Sequence, residues 1–179
     1  MKLDSTYWKT ELFPAADRIE QLSTFPQFSS RLANVIEREI MFAVFAIRTL
    51  IERCKLSEEL LSRLIQVKAY PKKAAKPVTF LNSHDIVDLY NVNAPASKSV
   101  PLGFLCNQII HSYILIPQRK GRQFTEILVC SDYERNRWLY IVSVPLIVAL
   151  IREVASDCAP TMNITFNLKR QDYDIKNYK

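Results

Sequence analysis

The stretch Leu102-Gly103-Phe104-Leu105-Cys106-Asn107-Gln108-Ile109-Ile110-His111-Ser112-Tyr113-Ile114-Leu115-Ile116 decides how this chain folds. It is an apolar run with few polar breaks, and it reads as one buried helix. Ser99 caps that helix and Pro101 opens it, since proline's fixed φ suits a helix start. On a helix Asn107 and His111, four residues apart, project from the same face. His111 is one of only two histidines in the chain. A polar pair on an apolar helix needs a partner or a purpose.

Upstream, helical signals dominate. Pro14 to Leu22 reads as a first short helix, and Thr24 to Ser30 as a turn. Ser29 or Ser30 then caps a long helix from Arg31 to about Lys55. Its apolar positions, among them Leu32, Ile36, Ile40, Ala43, Ile47 and Leu50, recur at helical spacing. Ser57 followed by Glu58 and Glu59 starts another helix, carried by Leu60, Leu61, Leu64, Ile65 and Val67 to about Tyr70. Pro71 and Pro77 bound a lysine-rich break. Asn82 to Asp85 opens a helical turn, with His84 in a capping or surface position, and Asn91 to Ser99 is a loop.

Downstream of the apolar run the period changes. Pro117 to Gln123 is a basic turn. Phe124 to Cys130 and Trp138 to Val144 are rich in β-branched and aromatic residues, which predicts an antiparallel hairpin. Pro145 starts a last helix to about Ser156. Asn163 to Leu168 supplies one further strand, and Gln171 to Lys179 is a polar, frayed tail. The expected fold is therefore mainly α. It is a helical bundle in one domain over residues 1–179, with a β-hairpin inserted at about 124–144.

Composition narrows the function. The chain has 179 residues, 49% of them hydrophobic, enough for a real core. Only Gly103 and Gly121 are glycine, so phosphate-cradling glycine loops are excluded. A net charge of +6 allows a polyanion partner such as RNA. Lys72, Lys73 and Lys76 form one basic loop, readable as a solvated linker or as a phosphate contact; Arg119, Lys120 and Arg122 form a second. Cys54, Cys106, Cys130 and Cys158 are widely spaced and lack nearby histidine pairs, so no metal site is expected. No segment has the length and continuity of a membrane span, and Met1 to Thr10 lacks a signal-peptide core. The expectation is a reduced, cytoplasmic protein without membrane or cofactor.

The Asn107-x-x-x-His111 spacing on an apolar helix, beside the long Arg31–Lys55 helix, resembles the signature of the HEPN family. That signature often reads Arg-Asn-x-x-x-His. The resemblance implies a helical bundle built around two long helices and a homodimer in which motif helices face each other. It also implies metal-independent RNA cleavage in which arginine and histidine act on the 2′-hydroxyl and the scissile phosphate. Here the arginine position holds Cys106, which can neither fork onto phosphate nor keep a charge. Cys106→Arg would restore the pattern and is expected to raise cleavage.

Arg48, on the apolar face of the long helix, is the candidate replacement cation, unless it only pairs with Glu52 four residues along. His111, Asn107 and Arg48 are thus the candidate catalytic set. The competing reading makes Asn107 and His111 a polar pair that fixes packing. Two functions follow: a HEPN-like RNA-binding or RNA-processing protein of a prokaryotic defence or toxin type, and a non-enzymatic dimerising or antitoxin-like module that binds another protein. Both share a homodimer, because the motif helix and the apolar hairpin offer more nonpolar surface than a small bundle covers.

Overall fold

Helix and strand share the apolar run at 102–116 between them. The computed structural model describes residues 5–26, 29–74, 76–158 and 161–178. In chain order it contains α1 (Ser5–Thr24), α2 (Ser30–Glu52), α3 (Glu58–Ser62), β1 (Leu64–Pro71) and α4 (Ile86–Leu89). There follow β2 (Ala96–Pro101), α5 (Leu102–Ile110), β3 (Ser112–Lys120) and β4 (Gln123–Ser131). β5 (Trp138–Ser143), α6 (Val144–Ser156), β6 (Thr161–Asn167) and β7 (Asp172–Tyr178) complete the chain. The expected turn over Thr24–Ser30 lies partly outside the described residues, as does the start of Met1 to Thr10.

The strands form a five-stranded sheet in the order β2-β1-β5-β4-β3 and a separate β6-β7 pair, every pairing antiparallel. The expected mainly α bundle is overturned. With 44% helix and 32% strand this is an alpha/beta protein, and the sheet is the frame of the fold rather than an insertion. The pairing of β4 with β5 agrees with the hairpin read from sequence, but both are interior strands.

Four local readings change with it. The helix expected from Ser57 to Tyr70 stops at Ser62, and β1 takes over. There Ile65, Val67 and Ala69 point inward while Leu64, Gln66 and Lys68 point out, a period of two. Ala96–Pro101, expected as the end of a loop and the capped start of a helix, is an edge strand paired with β1. The helix opened by Pro101 ends at Ile110, and the β-branched Ile114 and Ile116 continue as strand. The tail expected to fray is β7, paired with β6 from Asp172 to Tyr178.

Helices α1, α2, α5 and α6 cover one face of the sheet. Ile36, Ile40, Ala43, Ile47 and Leu50 of α2 meet Leu105 and Ile109 of α5 and Val129 and Val142 of the sheet in one core. Burying each large aliphatic side chain contributes about 1.5–3 kcal/mol. Ser29 caps α2, its hydroxyl accepting from the Leu32 N–H at 3.1 Å. The opposite sheet face buries Leu128, Cys130, Leu139 and Ile141 under Val78, Leu89 and Tyr90 from the connection between β1 and β2. Since α5, β4 and β5 all pack into these cores, the surface expected to hold a dimer together is consumed within one chain.

Tyr90 pins that connection. It is fully buried, its hydroxyl donates to the Arg135 carbonyl at 2.5 Å, and burial pushes the phenol's pKa up. Tyr90→Phe keeps the ring and deletes the bond. It is expected to cost about 1–2 kcal/mol in a urea titration with an unchanged slope. A loss below about 0.3 kcal/mol would show that the connection is held by its apolar contacts alone.

Candidate nucleic-acid interface

The sheet topology sorts the candidate residues by end. β1 runs to Pro71, opposite Trp138 at the start of β5. β4 ends at Ser131 opposite Ser112, which follows His111. One end of the sheet therefore gathers His111, the 132–137 connection, Trp138 and the lysine loop after β1. The turn between β3 and β4, with Arg119, Lys120 and Arg122, lies at the other end, where Gly121 supplies a positive φ of 65°. The six basic residues singled out in the sequence thus form two separate groups. Arg119 stacks over the Phe124 ring at 5.9 Å, which places it against the protein body.

The catalytic set does not converge within one chain. Arg48 Nε donates to Glu52 at 2.8 Å, and its guanidinium lies 3.8 Å from where a Cβ on Gly103 would stand. Gly103 is at the start of α5 and His111 caps its end. The two are about 12 Å apart along the helix axis. Asn107 sits between them, half-buried, and His111 is exposed. Among the described residues neither side chain has a hydrogen-bond partner; the His111 backbone N–H donates to the Asn107 carbonyl and the Asp132 N–H to the His111 carbonyl. The buried polar group on α5 is instead Gln108, which accepts from the Ser131 N–H at 2.9 Å and so ties α5 to β4.

Cys106 is 2% exposed and packs among Val44, Ile47, Ile109, Ile147 and Ile151. Burial pushes its thiol up to about 12, well out of the range of a reactive thiolate. The site at which the family arginine would stand is therefore core. His84 is an exposed residue 3.3 Å from Asp85, in the segment whose Val87 carbonyl accepts from Lys73. The four cysteines are free, and the described residues contain no metal-binding cluster of histidine, cysteine and carboxylate.

The end of the sheet that holds His111 has a second character. A cavity of about 400 Å³ opens there, lined by Lys72, Lys73, Lys76, Asn136, Arg137 and Trp138. Lys98 from β2 lies 3.5 Å above the Trp138 ring, Arg135 lies 4.1 Å from the Tyr113 ring centre, and Arg137 lies 4.8 Å from that of Tyr133. Lys72 donates to the carbonyls of Lys73 and Lys76, and Lys73 donates to that of Val87. Both braces hold the loop in one shape. Burial moves the Lys72 ammonium below its ordinary pKa.

The arginines are compensated by carboxylates, Arg135 by Asp132 at 3.2 Å and Arg137 by Glu134 at 3.5 Å. Lys76 and Lys98 have no carboxylate partner among the described residues, so positive charge remains in surplus. From sequence, Trp138 reads as core or interface rather than a base-stacking platform and Arg135 as part of an exposed turn, while Lys98 and Tyr113 carry no signal.

A further cavity of about 440 Å³ lies elsewhere, beside Lys9, Asp157 and Asn177. Asp157 accepts from the Ser57 N–H and hydroxyl at 2.8 and 2.6 Å, and Lys9 donates to its carbonyl at 2.7 Å. These bonds join α1, α3 and α6, which is a structural task. Among the described residues no helix is long and apolar enough to cross a membrane. Comparison with protein-family models, with curated proteins and with solved structures finds no match for this chain.

Proposed function

We propose that the chain binds single-stranded RNA at the basic, aromatic end of its sheet. The observation that carries this reading is the cavity itself, where lysines from one loop and an arginine from another surround a half-exposed tryptophan. Lysine and arginine neutralise phosphates without reading sequence, and an aromatic face accepts any unpaired base. The support is independent of the HEPN resemblance, whose implied helical bundle the sheet replaces.

The test is fluorescence anisotropy with a labelled RNA of about 20 nucleotides, followed across salt concentrations. Wild type is expected to bind in the micromolar range at low salt. Lys76→Glu combined with Arg137→Glu should weaken binding at least about tenfold and flatten the salt slope by about 1.4, some 0.7 per lost phosphate contact. Equal binding by wild type and variant would remove this site from consideration.

A second reading, RNA cleavage, rests on His111. It is exposed at the same end of the sheet, next to Asp132, which pairs with Arg135. Arg135 rather than Arg48 is then the cation available to hold phosphate while histidine moves a proton. His111→Ala should abolish cleavage of the labelled RNA and leave its binding unchanged. Persistence of cleavage in that variant would exclude the histidine. The homodimer expected from the sequence would require a surface other than the motif helix and the β4–β5 hairpin.

A further inference from the structure

The hairpin β6–β7 is amphipathic. Met162, Ile164 and Phe166 share a face with Asn177, Ile175 and Tyr173 across the pair, while Thr161, Asn163 and Thr165 line the other face. Asn177 is buried and donates to the carbonyls of Cys54 and Leu56 at 2.6 and 3.3 Å. The apolar face is thus the one turned toward the body, but the body ends beneath its base. From Asn177 to Tyr173 the hairpin overhangs by about 13 Å. Ile164, Phe166 and Tyr173 remain 54%, 46% and 57% exposed, although Phe166 and Tyr173 pack edge to face with centroids 5.1 Å apart. A two-stranded ribbon with an uncovered apolar face is marginal in water.

We infer that this overhang is an arm that embraces a second copy of the chain. With Met162, the exposed side chains present about 400 Å² of apolar surface. One side of a standard interface buries about 800 Å², slightly more than half of it nonpolar, so the arm alone supplies nearly the whole apolar share.

The same molecule carries a receiving surface. A groove of about 220 Å³ between α1 and α2 is bordered by Tyr7, Trp8 and Phe42, with Tyr7 66% and Phe42 67% exposed. Arm and groove border the same first turns of α1, since Ser5, Thr6 and Lys9 line the cavity at the hairpin's base. Surfaces so close together fit an isologous exchange, with each arm over the partner's groove, which closes at two copies.

Light scattering on the full chain tests this. Wild type should show twice the chain mass of 20.8 kDa across about 1–100 µM. Phe166→Asp with Tyr173→Asp should give single chains, with the dissociation constant raised at least about 100-fold. The circular dichroism of the helices should be unchanged. A second measurement covers the case in which the arm itself fails to fold. In a Cys54→Ser, Cys158→Ser background, Ile164→Cys chains mixed with Phe42→Cys chains should form a disulfide-linked pair. A wild type at single-chain mass throughout that range, or an aspartate variant that stays dimeric, overturns the proposal, as does failure of the two cysteine chains to cross-link.

Discussion

Cys106→Arg is expected to leave the chain unfolded or insoluble rather than newly active. The thiol sits in a shell of aliphatic side chains around a void of about 20 Å³ with no polar lining. An arginine there adds a charge, a set of donors and several heavy atoms to a site offering no carboxylate. A buried unpaired charge, or the overpacking, alone costs several kcal/mol, comparable to the whole stability of an ordinary domain. Arg48 adds a second cation at the start of the same helix. Soluble yield after expression and near-ultraviolet circular dichroism decide the matter. Cys106→Ala is the matched control, expected to stay folded with a loss of about 1–2 kcal/mol. A folded Cys106→Arg protein that cuts RNA would instead mean that α5 can rotate its inner face to solvent, and the core described above would be wrong.

Asp157→Ala is the second large effect. Its carboxylate takes two hydrogen bonds from Ser57 and lies 3.8 Å from Lys9 Nζ, with a side chain entirely shielded from water. Removing it leaves the buried Ser57 N–H without that acceptor and Lys9 without its counter-charge. Breaking such a group from one side costs about 3–4 kcal/mol, which in a domain of this size lowers the melting temperature by about 6–15 °C. Asp157→Asn keeps one acceptor and should recover part of the loss. Differential scanning calorimetry reads both. A shift below about 2 °C would show that α1, α3 and α6 are held by apolar packing without this junction.

Where one signal spoke at a time, the sequence was legible. Ser29 before the long stripe of α2 and Pro145 before α6 each state a helix start in local chemistry, and both helices stand there, α6 opening one residue earlier at Val144. The β-branched and aromatic runs of β4 and β5 were equally plain. β1 was not, because Leu60, Leu61, Leu64 and Ile65 satisfy a helical period while Ile65, Val67 and Ala69 satisfy a strand period. Only pairing with β2 and β5, from distant parts of the chain, selects the second. Ala96–Pro101 is too polar to advertise an edge strand, and an edge need bury only Val100. The run at 102–116 looked uniform because apolarity hides a change of period. The candidate site suffered similarly: which side chains share an end of the sheet with His111 is set by strand order, which brings Arg135 and Trp138 to that end and leaves Arg48 beside the start of α5.

The strand order also sets a timetable. Lys68 pairs with Ile141 at the middle of the sheet, so β1 has no central neighbour until the chain has been synthesised past β5. At ribosomal speeds that wait lasts about 4–15 s. In the meantime the edge of β1 that β5 will occupy has no partner strand. Such a non-local pairing also makes refolding slow compared with a helical bundle of the same length. The inner edge of β1 is therefore the part of the nascent chain most open to mispairing until residues 138–143 follow.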